Sequence, residues 1–255
     1  MDTIKINKGK TQMVAHAGLA GMEMANTNAG FIAAGNRSYY GIETDVHITR
    51  DNQVVVVHDD DMKRISGADM MVEESTLEEL QQIPLFDEPF FYDMEKYGIT
   101  PQKGTRRSDL RTPSLAEYIH ICKKYDKIAV LELKNPMRPE GIAVVVEQIR
   151  ALDYLDKVTF ISFDWNNLVE IRKLVPGQSV QYLTGMETEF SDEFIDRVAQ
   201  NGFDLDIHVF TTTQELIERL HARGIRVNVW TVDWPELAEK IAGWGADYIT
   251  SNILE

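Results

Sequence analysis

Eight short apolar runs, at 13–16, 41–48, 128–134, 157–162, 179–184, 203–209, 225–232 and 246–250, alternate with stretches of helical period. The helical stretches fall at 26–36, 114–125, 139–153, 164–174, 191–201, 212–222 and 234–243. Strands separated by helices pair in parallel through right-handed crossovers, and eight such units close into a barrel whose functional end lies at the strands' C-terminal ends. The spacing therefore predicts a (β/α)8 TIM-type barrel of one domain over 1–255. Asn26, Ser114, Asp164, Ser191 and Thr212 are the expected helix caps, and Pro176-Gly177, Gly202 and Gly224 the stops. The residues after 250 are too few for a full eighth helix, so the N-terminal arm is expected to cover that gap.

Two irregularities interrupt the alternation. Thr49-Arg50-Asp51-Asn52-Gln53 reads as a tight turn into a further short strand, 54–58, which would fold His58 back over the end of strand two. The segment 59–113, with Pro84, Pro89 and Pro101, then reads as an insertion carrying one helix near 76–82. A connection of that length in a compact domain is usually a lid or binding loop.

Charge narrows the partners. A formal net charge of −15 over 255 residues opposes binding to nucleic acid or to an anionic membrane surface, although one local cationic cleft can still attract a phosphate. The expected partner is a small molecule, with no nucleic acid and no stable membrane association; the oligomeric state, a homo-oligomer included, is left open. Cys122, the only cysteine, excludes an intrachain disulfide and reads as a helix residue with no chemical role. The opening Met1–Lys8 has no apolar core for a signal peptide and no run reaches membrane-span length, so a cytoplasmic location is expected.

The polar residues at the strand ends carry the chemistry. Glu43 and Asp45 stand one position apart on one strand and so aim their carboxylates to the same face. His16 ends the run Met13-Val14-Ala15, His58 ends Val54-Val55-Val56-Val57, and Glu132 with Lys134 ends Ile128-Ala129-Val130-Leu131. Paired carboxylates suit a cation, and oxygen donors without cysteine favour a hard ion such as Ca²⁺ or Mg²⁺ over zinc. Salt bridges at a strand end are the alternative for the acids and for Lys134, and hydrogen-bonded core imidazoles for the histidines. His47 alternates away from Asp45 and should face outward. Packing is the simpler explanation of Phe163, His208 and Phe210, and a solvated turn that of Asp59-Asp60-Asp61.

His16-Ala17-Gly18, Ala25-Asn26-Thr27, Ile42-Glu43-Thr44-Asp45-Val46-His47-Ile48-Thr49, Val55-Val56-Val57-His58-Asp59, Glu132-Leu133-Lys134 and Val229-Trp230-Thr231-Val232-Asp233 occur in that order over nearly the whole chain. This ordered set resembles the glycerophosphodiester phosphodiesterase family. The resemblance implies a barrel that hydrolyses glycerophosphodiesters to an alcohol and glycerol 3-phosphate with one divalent ion. It also implies roles: Glu43, Asp45 and Glu132 as metal ligands, His16 and His58 as an acid–base pair, Lys134 and Trp230 lining the substrate. Two positions depart from the family pattern, Ala17 where it has Arg and Ala25 where it has Glu. The lost arginine removes a fork-shaped phosphate donor. Lys134, Arg64 or the basic run at Lys103, Arg106 and Arg107 could compensate if the insertion folds inward. The departures leave two other readings in play: a barrel that binds a phosphate ligand with little turnover, and a phosphodiesterase of the same superfamily acting on a different diester.

Overall fold

Parallel strands joined by helices make up most of the molecule, and the computed structural model describes residues 2–92, 94–98 and 104–255. The chain opens with β1 (Gln12–Ala15), α1 (Asn28–Gly35), β2 (Gly41–Ile48) and β3 (Val54–Val56). An insertion follows, with α2 (Lys63–Ser66), α3 (Leu77–Gln81), β4 (Leu85–Phe86) and β5 (Arg106–Arg107). Regular alternation then runs through α4 (Leu115–Tyr125), β6 (Ile128–Leu133), α5 (Pro139–Ala151), β7 (Val158–Ser162), α6 (Trp165–Leu174) and β8 (Ser179–Thr184). It ends with α7 (Asp192–Gln200), β9 (Asp204–His208), α8 (Gln214–His221), β10 (Val227–Trp230), α9 (Pro235–Gly243) and β11 (Tyr248–Ser251).

The parallel strands follow the order β1-β11-β10-β9-β8-β7-β6-β2, and β2 pairs back onto β1 to close an eight-stranded barrel. This is the expected (β/α)8 TIM-type architecture. Strand alternation divides the side chains. Outward residues such as Ile42, Val46, Leu131, Phe160 and Leu205 pack against Phe31, Tyr118, Ile149, Leu168 and Ile217 of the helices in the main core. Inward, Val14, Val130, Ile161 and Leu183 form a separate small cluster inside the barrel. Among the described residues no helix follows β11, and the N-terminal arm covers that side as expected. Ile4 bridges Leu254, while Thr3 Oγ1 and Lys5 Nζ meet the Glu255 carboxylate at 2.6 and 2.7 Å.

Three expected caps hold: Ser114, in a capping box with Glu117, Asp164 and Ser191. Two shift by one residue. Thr27, not Asn26, caps α1, because the Asn26 side chain is bonded to Asp45. Thr213, not Thr212, caps α8, because the Thr212 hydroxyl donates to the His208 carbonyl.

β3 returns antiparallel onto β2 with Val56 opposite Val46, which places His58 beside the end of β2 as the turn at 49–53 predicts. Of the insertion's elements only α3 was expected. α2 and the β4–β5 pair are too short to leave a periodic signal, and they assemble around a second core of Val55, Val57, Met62, Ile65, Leu80, Leu85 and Leu110. Pro101 and Lys103 lie outside the described residues.

The loop leaving β1 needs Gly18. Its φ is +79°, and a Cβ there would stand 2.8 Å from the carbonyl carbon of Gly30 in α1. Both the left-handed backbone and the contact exclude a side chain. Gly18→Ala is expected to destabilise the fold by about 2 kcal/mol or more, read as a lowered urea midpoint at unchanged slope.

Candidate active site

Register between β2 and β6 builds the acidic group. Asp45 is paired with Glu132 and Glu43 with Val130, so inward alternation brings Glu43, Asp45 and Glu132 together at the C-terminal end of the barrel. All three are buried, and one oxygen of each lies within 4.8 Å of the others. The Ala17 backbone N–H donates to Glu43 Oε2 at 2.7 Å. Asn26 Nδ2 donates to Asp45 Oδ2 at 2.8 Å, while Asn26 Oδ1 accepts the Thr44 hydroxyl at 2.6 Å. Lys134 Nζ stands 2.8 Å from Glu132 and 3.6 Å from Asp45.

One lysine against three buried carboxylates leaves an excess of negative charge. Burial, then Asp45 and Glu132, push the Glu43 carboxyl well above its usual range. Burial and the neighbouring Asp45 lift Glu132 to about 7, against the pull of Lys134. Burial opposes ionisation of Asp45 too, but His58, Lys134 and the Asn26 hydrogen bond outweigh it and hold that carboxyl below its ordinary value. A convergent set of hard oxygen donors whose mutual repulsion a cation would relieve fits a metal ion. The group could hold one.

The two histidines meet opposite partners. His58 Nδ1 is 2.8 Å from Asp59 Oδ1, and Asp59 is gripped by Arg64 through Nε at 2.6 Å and Nη2 at 3.0 Å. The hydrogen bond to Asp59 raises the His58 pKa, with burial opposing and Asp45 adding. His16 Nδ1 instead lies 2.8 Å from the amide oxygen of Asn252, a neutral partner. His16, Asp45 and His58 share the wall of one cavity of about 860 Å³, which extends past Ala17, Ala25 and Arg64 to Phe90 of the insertion.

Six of the seven site residues picked out from sequence thus lie close about this end of the barrel: Glu43, Asp45, Glu132 and Lys134 in contact, and His16 and His58 on Asp45's cavity. Trp230 stands apart, in ring contact with His208 and Phe163 at 5.2 and 5.6 Å, and does not wall that cavity. Of the cations suggested as replacements for the missing arginine, Arg64 reaches the cavity. Arg106 turns to the Ser66 carbonyl and Arg107 to Asp87 and Asp109, and Lys103 lies outside the described residues. His47 faces outward as expected, toward Glu73 at 3.1 Å. The Asp59–Asp61 turn is more than solvated: Asp59 holds His58, Asp60 accepts from Asn135, and Asp61 caps the Lys63 N–H. Asn252, which backs His16, carried no sequence signal, and Asp233 behind it entered only as the last residue of the Val229–Asp233 run, with no role assigned.

The raised carboxyls make the metal-free protein sensitive to pH. The folded state holds a proton on Glu132 up to about 7 while the unfolded chain releases it near its ordinary value of 4.5, so this residue's contribution to stability falls as pH rises between the two. The melting temperature of chelated protein is expected to fall more steeply over that window in the wild type than in Glu132→Gln. Equal slopes by scanning calorimetry would contradict this account of the cluster.

Comparison with known proteins agrees with this geometry. Residues 16–254 match the Glycerophosphoryl diester phosphodiesterase family. The glycerophosphodiester phosphodiesterase of Bacillus altitudinis is 27% identical over 245 residues, covering 95% of this chain and 94% of its own. That of Caldanaerobacter subterraneus is 25% identical over 245 residues, with 95% and 94% covered. The crystal structure of a glycerophosphodiester phosphodiesterase from Parabacteroides distasonis superposes with a TM-score of 0.75 at 28% identity, over 96% of this chain and 94% of that one. A phosphodiesterase of Oleispira antarctica, solved in complex with the product sn-glycerol-3-phosphate, shares the fold with a TM-score of 0.80 at 24% identity, over 98% and 96%. With the barrel, the acidic group and a match over nearly its full length, this chain belongs to the glycerophosphoryl diester phosphodiesterase family of hydrolytic enzymes.

Proposed function

We propose that the protein hydrolyses a glycerophosphodiester to an alcohol and glycerol 3-phosphate, with Glu43, Asp45 and Glu132 holding one divalent cation, Ca²⁺ or Mg²⁺, and His16 and His58 exchanging protons with the substrate. The observation that carries this reading is the pair of imidazoles on one cavity wall beside the acidic group, one backed by a carboxylate and the other by an amide.

A phosphodiester resists attack because it is anionic and its leaving alkoxide is poor. When bound, the cation supplies positive charge against the non-bridging oxygens. The protein's own groups handle the protons. Asp59 holds a proton on His58 Nδ1 and favours the charged ring, so Nε2–H is the group that protonates the departing alkoxide. His16, facing a neutral amide, takes the proton of the attacking hydroxyl. Lys134 orients Glu132 and Asp45, and Trp230, packed on Phe163 and His208 outside the cavity the histidines share, offers an apolar surface to a glycerol group that extends past it. Asp59, Arg64 and Phe90 bring the insertion into the same site, in line with the expected role of a long connection. The substrate is a small molecule; among the described residues no helix is long and apolar enough to cross a membrane.

Phosphorus NMR of the products tests the reading against its two rivals. Glycerol 3-phosphate supports it, a cyclic phosphate identifies a different phosphodiesterase, and retained calcium affinity without turnover identifies a binding barrel. His58→Gln is expected to lower kcat by roughly 10²–10⁴-fold. Glu43→Ala should abolish the calorimetric signal of cation binding without unfolding the barrel, since it removes a charge and little core volume. Ala17→Arg should raise the rate by up to about 10²-fold if the missing donor limits turnover. A fall in rate would mean that the cavity is built around a different phosphate anchor.

A further inference from the structure

His16 is useful as a base only if its ring proton sits on Nδ1 and leaves the Nε2 lone pair free, and among the described residues the side chain hydrogen-bonded to its ring is an amide that can present either an oxygen or an NH₂. Something beyond Asn252 must decide which. Asp233 is buried, and four donors converge on its carboxylate: Tyr92 N at 2.8 Å, the Ser251 hydroxyl at 2.9 Å, Asn252 N at 2.9 Å and Asn252 Nδ2 at 2.7 Å. The Ser251 oxygen already accepts the N–H groups of Ile253 and Leu254, so its own hydrogen is free to point at Asp233. A carboxylate only accepts, so the Asn252 atom against it must be the NH₂. The amide oxygen is thereby turned to His16, and His16 must answer with Nδ1–H. The backbone holds both partners in place, with His16 N on Ser251 O at 2.9 Å and Gly21 N on Asn252 O at 2.8 Å.

We propose that Asp233 is a positioning residue that fixes the tautomer of His16 through Asn252, and that the insertion takes part in this by donating the Tyr92 N–H to the same carboxylate. The inference deepens the reading of His16 as the proton acceptor and rests on it for its catalytic meaning. The tautomer itself does not depend on that reading. In Asp233→Asn the new amide can donate as well as accept, so Asn252 is free to turn its NH₂ toward His16. Nδ1 must then accept, the proton moves to Nε2, and the lone pair is lost from the cavity side.

The test is nitrogen NMR of protein labelled with ¹⁵N-histidine, the His16 signals being assigned by their disappearance in His16→Gln. The wild type should show the Nδ1–H tautomer, and Asp233→Asn should shift His16 toward Nε2–H. Its kcat should fall by roughly 10²-fold with KM within about twofold. The paired change Asp233→Asn with Asn252→Asp sets a carboxylate directly against Nδ1, and should restore the Nδ1–H signal and at least a tenfold part of the lost kcat. Ser251→Ala removes another donor to Asp233 without freeing Asn252, and should leave the tautomer alone. A wild-type Nε2–H tautomer, an unchanged ring in folded Asp233→Asn, or an equal shift in Ser251→Ala would each overturn the proposal. Absence of wild-type turnover with the expected ring signals would instead sink only the catalytic reading.

Discussion

Three carboxylates pressed together out of water are the constraint around which this barrel is arranged. The β2–β6 register sets Asp45 beside Glu132, and the alternation of β2 adds Glu43 on the same face, so the clash of like charge is built into the strand pairing. Moving the register by one residue would relieve the repulsion, but would also turn Ile42, Val46, Leu131 and Leu133 out of the main core. The apolar layer thus forces the polar one. The surroundings respond with donors from the Ala17 backbone, Asn26 and Lys134. They moderate the excess charge without cancelling it, which leaves a place for the proposed cation.

The same economy of position separates the two imidazoles. His58 takes its partner from the next residue in the chain, and Asp59 brings Arg64 with it. His16 takes Asn252 from the far end of the chain, across the β1–β11 seam that closes the barrel. One ring is therefore prepared by local sequence and the other by closure of the fold. A carboxylate and an amide at equal distances, 2.8 Å each, give the rings different electrostatic surroundings from the same hydrogen-bond geometry.

That division explains what could be read from sequence. Strand ends were legible because an apolar run stopping at His16, His58 or Glu132 marks the strand, and Glu43 and Asp45 because two acids one position apart on a strand share a face. Ser114, Asp164 and Ser191 were legible as caps because their effect is confined to one helical turn. Asn26 was misread as a cap because its type suits both jobs, and only the tertiary contact with Asp45 decides between them. Asn252 lies beyond sequence reasoning and Asp233 was only the end of a quoted run without a role, since the meaning of both comes from β11 lying beside β1. The insertion's α2 and β4–β5 pair failed for a different reason: two to four residues cannot display a period.

The two alanines bear on where positive charge enters the cavity. Position 17 keeps its backbone task, since Ala17 adopts φ +48° and its N–H reaches Glu43 without help from a side chain. What its alanine removes is the charged fork that the family pattern places there. Beside Ala25, Asn26 is fixed on Asp45 by a hydrogen bond of 2.8 Å. Lys63 and Arg64 of the insertion both line the cavity, and Arg64 is partly neutralised by Asp59. Cationic side chains on this cavity therefore come from the insertion and not from the β1 loop. These two cations belong to a segment tied to the barrel through the Phe90 N–H on Ala20 O and the Tyr92 N–H on Asp233. With alanine at position 17, the positive charge on this wall depends on where the insertion sits, while Lys134 and the proposed cation act from the barrel side.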